Sequence, residues 1–116
     1  MVSPQHPVET VDLADLQLTA VVLGGRWKTT ILACLAREPM RFAALRRQIA
    51  GISEKVLSHA LRDLEAEGLV TRTVEEVVPP RVTYAMSPHG RSLCDAVLAM
   101  ARWGVHHRAV RNQASG

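Results

Sequence analysis

A chain of 116 residues, 47% hydrophobic and 22% charged, fits one globular domain and is neither disordered nor fibrous in composition. Its net charge of +3 permits a polyanionic partner without requiring one, and no apolar run approaches the ~18 residues of a membrane span. Two cysteines, Cys34 and Cys94, stand far apart with no CxxC spacing, which excludes a disulfide framework and points to a reducing, cytoplasmic setting.

A chain of this size buries only about two-thirds of its unfolded surface, so one modest core is expected, helped by a partner chain. Residues 1–11 contain Pro4 and Pro7, lack a signal-peptide pattern, and read as a flexible arm. Residues 12–110 form the predicted domain, and residues 111–116 a flexible tail. Asp12–Leu23 reads as a first helix, with Leu13, Leu16, Ala20 and Leu23 on one side and Asp12 or Thr10 at the cap. Gly24-Gly25 ends it. Arg26–Arg37 reads as a second helix, with Trp27, Ile31, Cys34 and Leu35 inward. It stops at Glu38-Pro39, because the residue before proline avoids helical geometry. Arg41–Ile49 is a short third helix with Phe42, Leu45 and Ile49 inward. Ala50-Gly51 breaks it, and Ser53 is placed to cap a fourth helix from Glu54 to Gly68.

Beyond Gly68 the period changes from helical to alternating. Leu69–Val74 and Arg81–Met86 are rich in β-branched residues and flank EEVVPP, which predicts a hairpin with a proline-stiffened tip. Ser87-Pro88 signals a last helix running to about Val110. The expected fold is mainly α with a small β-hairpin.

The fourth helix carries the most informative pattern. Leu57, Leu61 and Leu64 fall together as a core stripe at about 100° per residue. Lys55, Ser58, His59 and Arg62 cluster on the far side, whereas Asp63, Glu65 and Glu67 come late in the helix. A short helix, a glycine turn and a longer helix with a basic first half make a helix-turn-helix pattern, in which the second helix reads base edges in the major groove. Ordinary solvation explains most charged helix faces, but here a hairpin bearing Arg72 and Arg81 follows directly, as a wing able to reach the backbone or minor groove. The candidate DNA-binding set is Arg46, Arg47, Ser53, Lys55, Ser58, His59, Arg62, Arg72 and Arg81.

In the last helix, Leu93, Val97, Met100 and Ala101 belong to an apolar surface that surrounds the axis. Such a helix is buried on more than one side, and one small domain cannot cover it. With Leu13 and Leu16 of the first helix they form the candidate dimerisation set; a helix threaded through its own core is the alternative. Lys28-Thr29 lacks the glycine and preceding strand of a phosphate loop. His106-His107 has no carboxylate or cysteine partners for a metal, and Cys34 and Cys94 read as inert core residues. No catalytic set, metal site or cofactor is expected.

The segment LGGRWKTTILACL, followed by MRFAALRRQIAGISEKVLSHALRDLEAEGLVTRTVEEVVPPRVTYAMSPHGRSL, closely resembles the HxlR-type winged-helix transcriptional regulators, relatives of the MarR group. The resemblance spans about Leu23 to Trp103. It implies a homodimer, paired through its terminal helices, that binds double-stranded DNA as a regulator. It also allows a small-molecule effector in a cavity near the dimer interface, with Trp27 as a lining candidate. Some members sense electrophiles through a first-helix cysteine; residues 12–23 here contain none, so that switch is not expected. The competing function is a winged-helix protein-interaction module that never touches DNA. It would show an apolar patch on the fourth helix where this sequence has a basic one.

Overall fold

The computed structural model describes residues 10–115, so the predicted arm lies outside the described residues apart from Thr10 and Val11. Helices α1 (Leu13–Val22) and α2 (Lys28–Arg37) are followed by a two-residue strand β1 (Met40–Arg41) and by α3 (Phe42–Gln48) and α4 (Glu54–Ala66). Strands β2 (Val70–Glu75) and β3 (Arg81–Met86) form the hairpin, and α5 (Pro88–Arg91) and α6 (Cys94–Ser115) complete the chain.

Local chemistry sets these boundaries. Asp12 caps α1 by accepting from the Ala14 N–H, and Ser53 caps α4 by accepting from the Val56 N–H at 3.1 Å. Gly51 and Gly68 close the turns that bracket α4 at φ +84° and +75°, a region costly for any residue with a Cβ. The Ser87 hydroxyl accepts from the Gly90 N–H at 2.8 Å and donates to the Gly68 carbonyl, tying the entry of α5 to the end of α4.

The core lies where α2, α3 and α4 meet the sheet. Ile31, Leu32 and Leu35 of α2, Leu45 of α3, and Leu57, Leu61 and Leu64 of α4 are all essentially inaccessible. Each such aliphatic side chain stabilises the fold by about 1.5–3 kcal/mol through burial. Trp27, Phe42, Cys34 and Cys94 pack half-buried at its edge.

Two departures from the sequence reading concern strands and the last helix. The sheet has three strands in the order β1-β3-β2, because Met40 and Arg41 pair antiparallel with Tyr84 and Thr83. The predicted single last helix is two: Ser92 and Leu93 bond back to His89 and Gly90, and α6 then starts at Cys94. α6 continues through the predicted end at Val110 to Ser115, so the tail boundary at 111 falls inside a helix.

The terminal helices lie largely outside the core. α1 buries no residue, and Leu13 and Leu16 are 66% and 60% exposed. In α6, Val97 is buried against its own chain, which makes it a core position rather than a free apolar face. Leu93 is half-buried, while Met100, Ala101 and Trp103 are exposed. The first turns of α6 lie over α2 and the remainder runs past the core, so α6 is not threaded through the domain. The longest dimension of the molecule is accordingly 65 Å.

Candidate nucleic-acid interface

Burying Leu57, Ala60, Leu61 and Leu64 turns the opposite side of α4 outward. Lys55, His59 and Arg62 are exposed on that side, and Ser58 is half-buried at its border. Helical periodicity alone therefore gathers four hydrogen-bonding side chains, mostly basic, on one surface.

The neighbouring elements extend that surface. Arg46 and Arg47 end α3 and, with Ser53 and Gly51, line an open cleft of about 620 Å³ beside the turn. Arg46 Nη1 stands 3.8 Å from Glu54 Oε2, an exposed pair worth at most about 1 kcal/mol, which a phosphate can displace. Ser53 is both in the predicted set and already engaged as the α4 cap; its hydroxyl still has a proton to donate.

The hairpin register separates the two wing arginines. Arg72 pairs with Tyr84, and Arg81 with Glu75. Because side chains alternate along a strand, Arg72 shares a face with Val82 and Tyr84, and Arg81 occupies the opposite one. Val82 and Tyr84 line a cleft of about 610 Å³ together with Phe42, Glu54, Lys55 and Ser58, so the Arg72 face of the wing is continuous with the start of α4. Phe42, Val82 and Tyr84 were absent from the predicted set. The period-2 alternation of RVTYAM marks Val82 and Tyr84 as one face, but only the register shows that this face meets α4.

Asp63 binds α4 to α2: its Oδ2 is 3.4 Å from Lys28 Nζ and 3.8 Å from His59 Nε2. A carboxylate in the later half of α4 thus stands beside His59 at one flank of the basic surface. Among the described residues no cluster of His, Cys, Asp or Glu could hold a metal, and no helix is long and apolar enough to cross a membrane.

Over residues 22–112 the sequence matches the HxlR-like helix-turn-helix family. The HTH-type transcriptional regulator YtcD of Bacillus subtilis strain 168 is 39% identical over 93 residues, covering 80% of this chain and 74% of that protein. The regulator BH0655 of Halalkalibacterium halodurans is 40% identical over 102 residues, 87% of this chain and 90% of its own length. Among solved structures, the reduced form of the redox regulator HypR matches with a TM-score of 0.81 at 36% identity, covering 85% of this chain and 98% of that one. A MarR-family transcriptional regulator from Enterococcus faecalis V583 matches with a TM-score of 0.76 at 30% identity, covering 93% and 99%. YtcD, BH0655 and the Enterococcus protein are named as transcriptional regulators, and HypR as a redox regulator; none is named as an enzyme. With its turn-linked α3 and α4 backed by a β2–β3 wing, the chain belongs to the HxlR-like helix-turn-helix family and is a winged-helix transcriptional regulator.

Proposed function

We propose that this regulator binds double-stranded DNA sequence-specifically through α4, as a homodimer on an inverted-repeat operator, in the cytoplasm. The observation that carries the reading is the outward face of α4, where Lys55, Ser58, His59 and Arg62 stand together above a fully buried leucine stripe. Lysine and arginine suit guanine O6/N7 or phosphate, and serine and histidine supply further donors and acceptors. Arg46 and Arg47 flank that face at the end of α3, and Arg72 lies on the wing face that joins it. These are the positions of phosphate contacts, which fix the protein's register on the duplex. Pairing is supported by the apolar side chains that one chain leaves uncovered on α1 and α6. Occupying a promoter in this way blocks it, so repression is the proposed sign of regulation.

Gel shifts test the reading on a duplex selected from random sequence and on its scrambled counterpart, at two salt concentrations. The expected result is tight binding to the selected duplex that weakens steeply with salt. Alanine at Lys55, Ser58, His59 and Arg62 together should abolish the preference and most of the affinity. Binding that survives all four substitutions would remove α4 from the interface.

A further inference from the structure

We propose that the cleft between the first turn of α4 and the wing reads one cytosine in each half-site and favours its 5-methyl form, with Glu54 as a specificity-determining residue. The proposal rests on the DNA reading above and adds to it a base, a residue and an apolar wall which that reading does not use.

Glu54 is the first residue of α4, whereas Asp63 and Glu65 come late in the helix. Its carboxylate is 75% exposed, and its partner is Arg46 at 3.8 Å, longer than a hydrogen bond. It does not cap its own helix, because the Ser53 hydroxyl does that. A carboxylate here repels phosphate, so a sugar–phosphate strand is a poor occupant of the cleft that it lines. It can only accept hydrogen bonds, so it suits a group with an N–H to give.

The rest of the cleft narrows the choice. Its volume of about 610 Å³ is bounded by the half-buried Phe42, Val82 and Tyr84 together with Glu54, Lys55 and Ser58. Val82 and Tyr84 lie two apart on β3 and so share one face. Tyr84 pairs with Met40 of β1 on one side and with Arg72 of β2 on the other, which holds that wall in place. A fixed apolar wall beside an acceptor suits a donor that adjoins an apolar edge. In the major groove guanine shows two acceptors, and thymine would set its O4 acceptor against the carboxylate. Adenine offers its N6 donor, but the N7 acceptor beside it would go unpaired against an apolar wall. Cytosine alone sets its N4 donor next to the apolar C5–H edge. A methyl group on C5 adds apolar surface where Val82 and Tyr84 stand and leaves the N4 donor intact. Lys55 in the same cleft and Arg46 beside it offset the cost of bringing a carboxylate near the duplex.

The test uses the full chain and the selected duplex, with affinities measured by gel shift. Each cytosine of the half-site is replaced in turn, in both half-sites together, by 5-methylcytosine or by a C·G to T·A exchange. One cytosine should stand out. Its methylation should strengthen binding about fourfold per half-site, and its exchange should weaken binding about tenfold or more. Glu54→Gln keeps the side chain's length but can donate to thymine O4 as readily as it accepts from cytosine N4. It should bring the cytosine-to-thymine ratio at that position to within about twofold and leave the ratios elsewhere unchanged. Val82→Thr keeps the shape and adds a hydroxyl, so it should remove most of the methyl gain and spare the cytosine preference. Removing a negative charge raises affinity for every duplex alike, so ratios between duplexes are what is read. A Glu54 that merely repels DNA would move every affinity and no ratio, and that outcome overturns the proposal. So would a half-site in which no cytosine methylation strengthens binding, or a methyl gain unchanged in Val82→Thr. A parent chain that prefers no duplex over its scrambled counterpart refutes the DNA reading. A parent chain with preferences that Glu54→Gln leaves unaltered refutes this proposal alone.

Discussion

At the scale of single residues, the basic side chains divide by what they can touch. Ser58 and His59 lie toward the two borders of the outer face of α4, where base edges would be read. Replacing either by alanine should relax preference at one or two base pairs per half-site, at a cost of about 1–3 kcal/mol each, measured on a panel of singly substituted duplexes. Arg46 and Arg47 end α3 instead. Their alanine variants should weaken binding to every sequence alike and reduce the salt slope by about 0.9 for each phosphate no longer neutralised. Cys34 is governed by burial, which pushes its thiol pKa up, with the nearby Arg37 opposing this more weakly. A raised pKa leaves less thiolate at neutral pH, and the thiolate is the reactive form. Residues 12–23 carry no cysteine either, so the Cys34→Ser, Cys94→Ser double variant should bind DNA and respond to its signal like the parent; loss of an oxidant response would make one of the two a sensor. The sequence shows the α4 residues because helical period alone collects them. It does not show that Asp63 comes to lie between Lys28 and His59, or that Arg72 and Arg81 occupy opposite faces, because these depend on side-chain reach and strand register.

At the scale of elements, what could be read from the chain was whatever local chemistry decides. Ser53 and Ser87 start helices because their hydroxyls satisfy otherwise unpaired N–H groups, and both are recognisable by position. Ser53→Ala should cost about 1 kcal/mol in thermal or denaturant unfolding. What could not be read was set by residues distant in sequence. Strand β1 is two residues long, too short for any period, and exists because β3 offers it a free edge. Nor could the packing of α5 be read: it approaches the chain after α4 very closely. A Cβ at Gly90 would lie 2.1 Å from the Leu69 carbonyl oxygen, a backbone atom that cannot step aside. Gly90→Ala should therefore destabilise by about 3 kcal/mol or more, despite alanine's better helix propensity. A variant as stable as the parent would show that α5 and the α4–β2 turn are not packed this closely.

At the scale of the whole molecule, the two terminal helices leave apolar residues that their own chain does not cover. Leu13, Leu16, Met100 and Trp103 are each more than half exposed, and this apolar surface is what supports the proposed pairing of two chains. Composition announced this helix surface, but only the fold separates Val97, buried in its own chain, from Met100, which is free to meet a partner. Met100→Asp should thus yield a folded monomer in sedimentation, with DNA binding weakened far beyond any local effect, because each half-site alone binds weakly. A two-fold pair presents two equivalent α4 helices, which can enter successive major grooves only about one turn of duplex apart, roughly 34 Å or 10 base pairs. The most direct test is methylation protection of guanine N7 on the selected duplex. The account predicts two protected major-groove patches about 10 base pairs apart and related by inverted symmetry, both lost when Lys55, Ser58, His59 and Arg62 are alanine. A single patch, or protection unchanged in that variant, would contradict it.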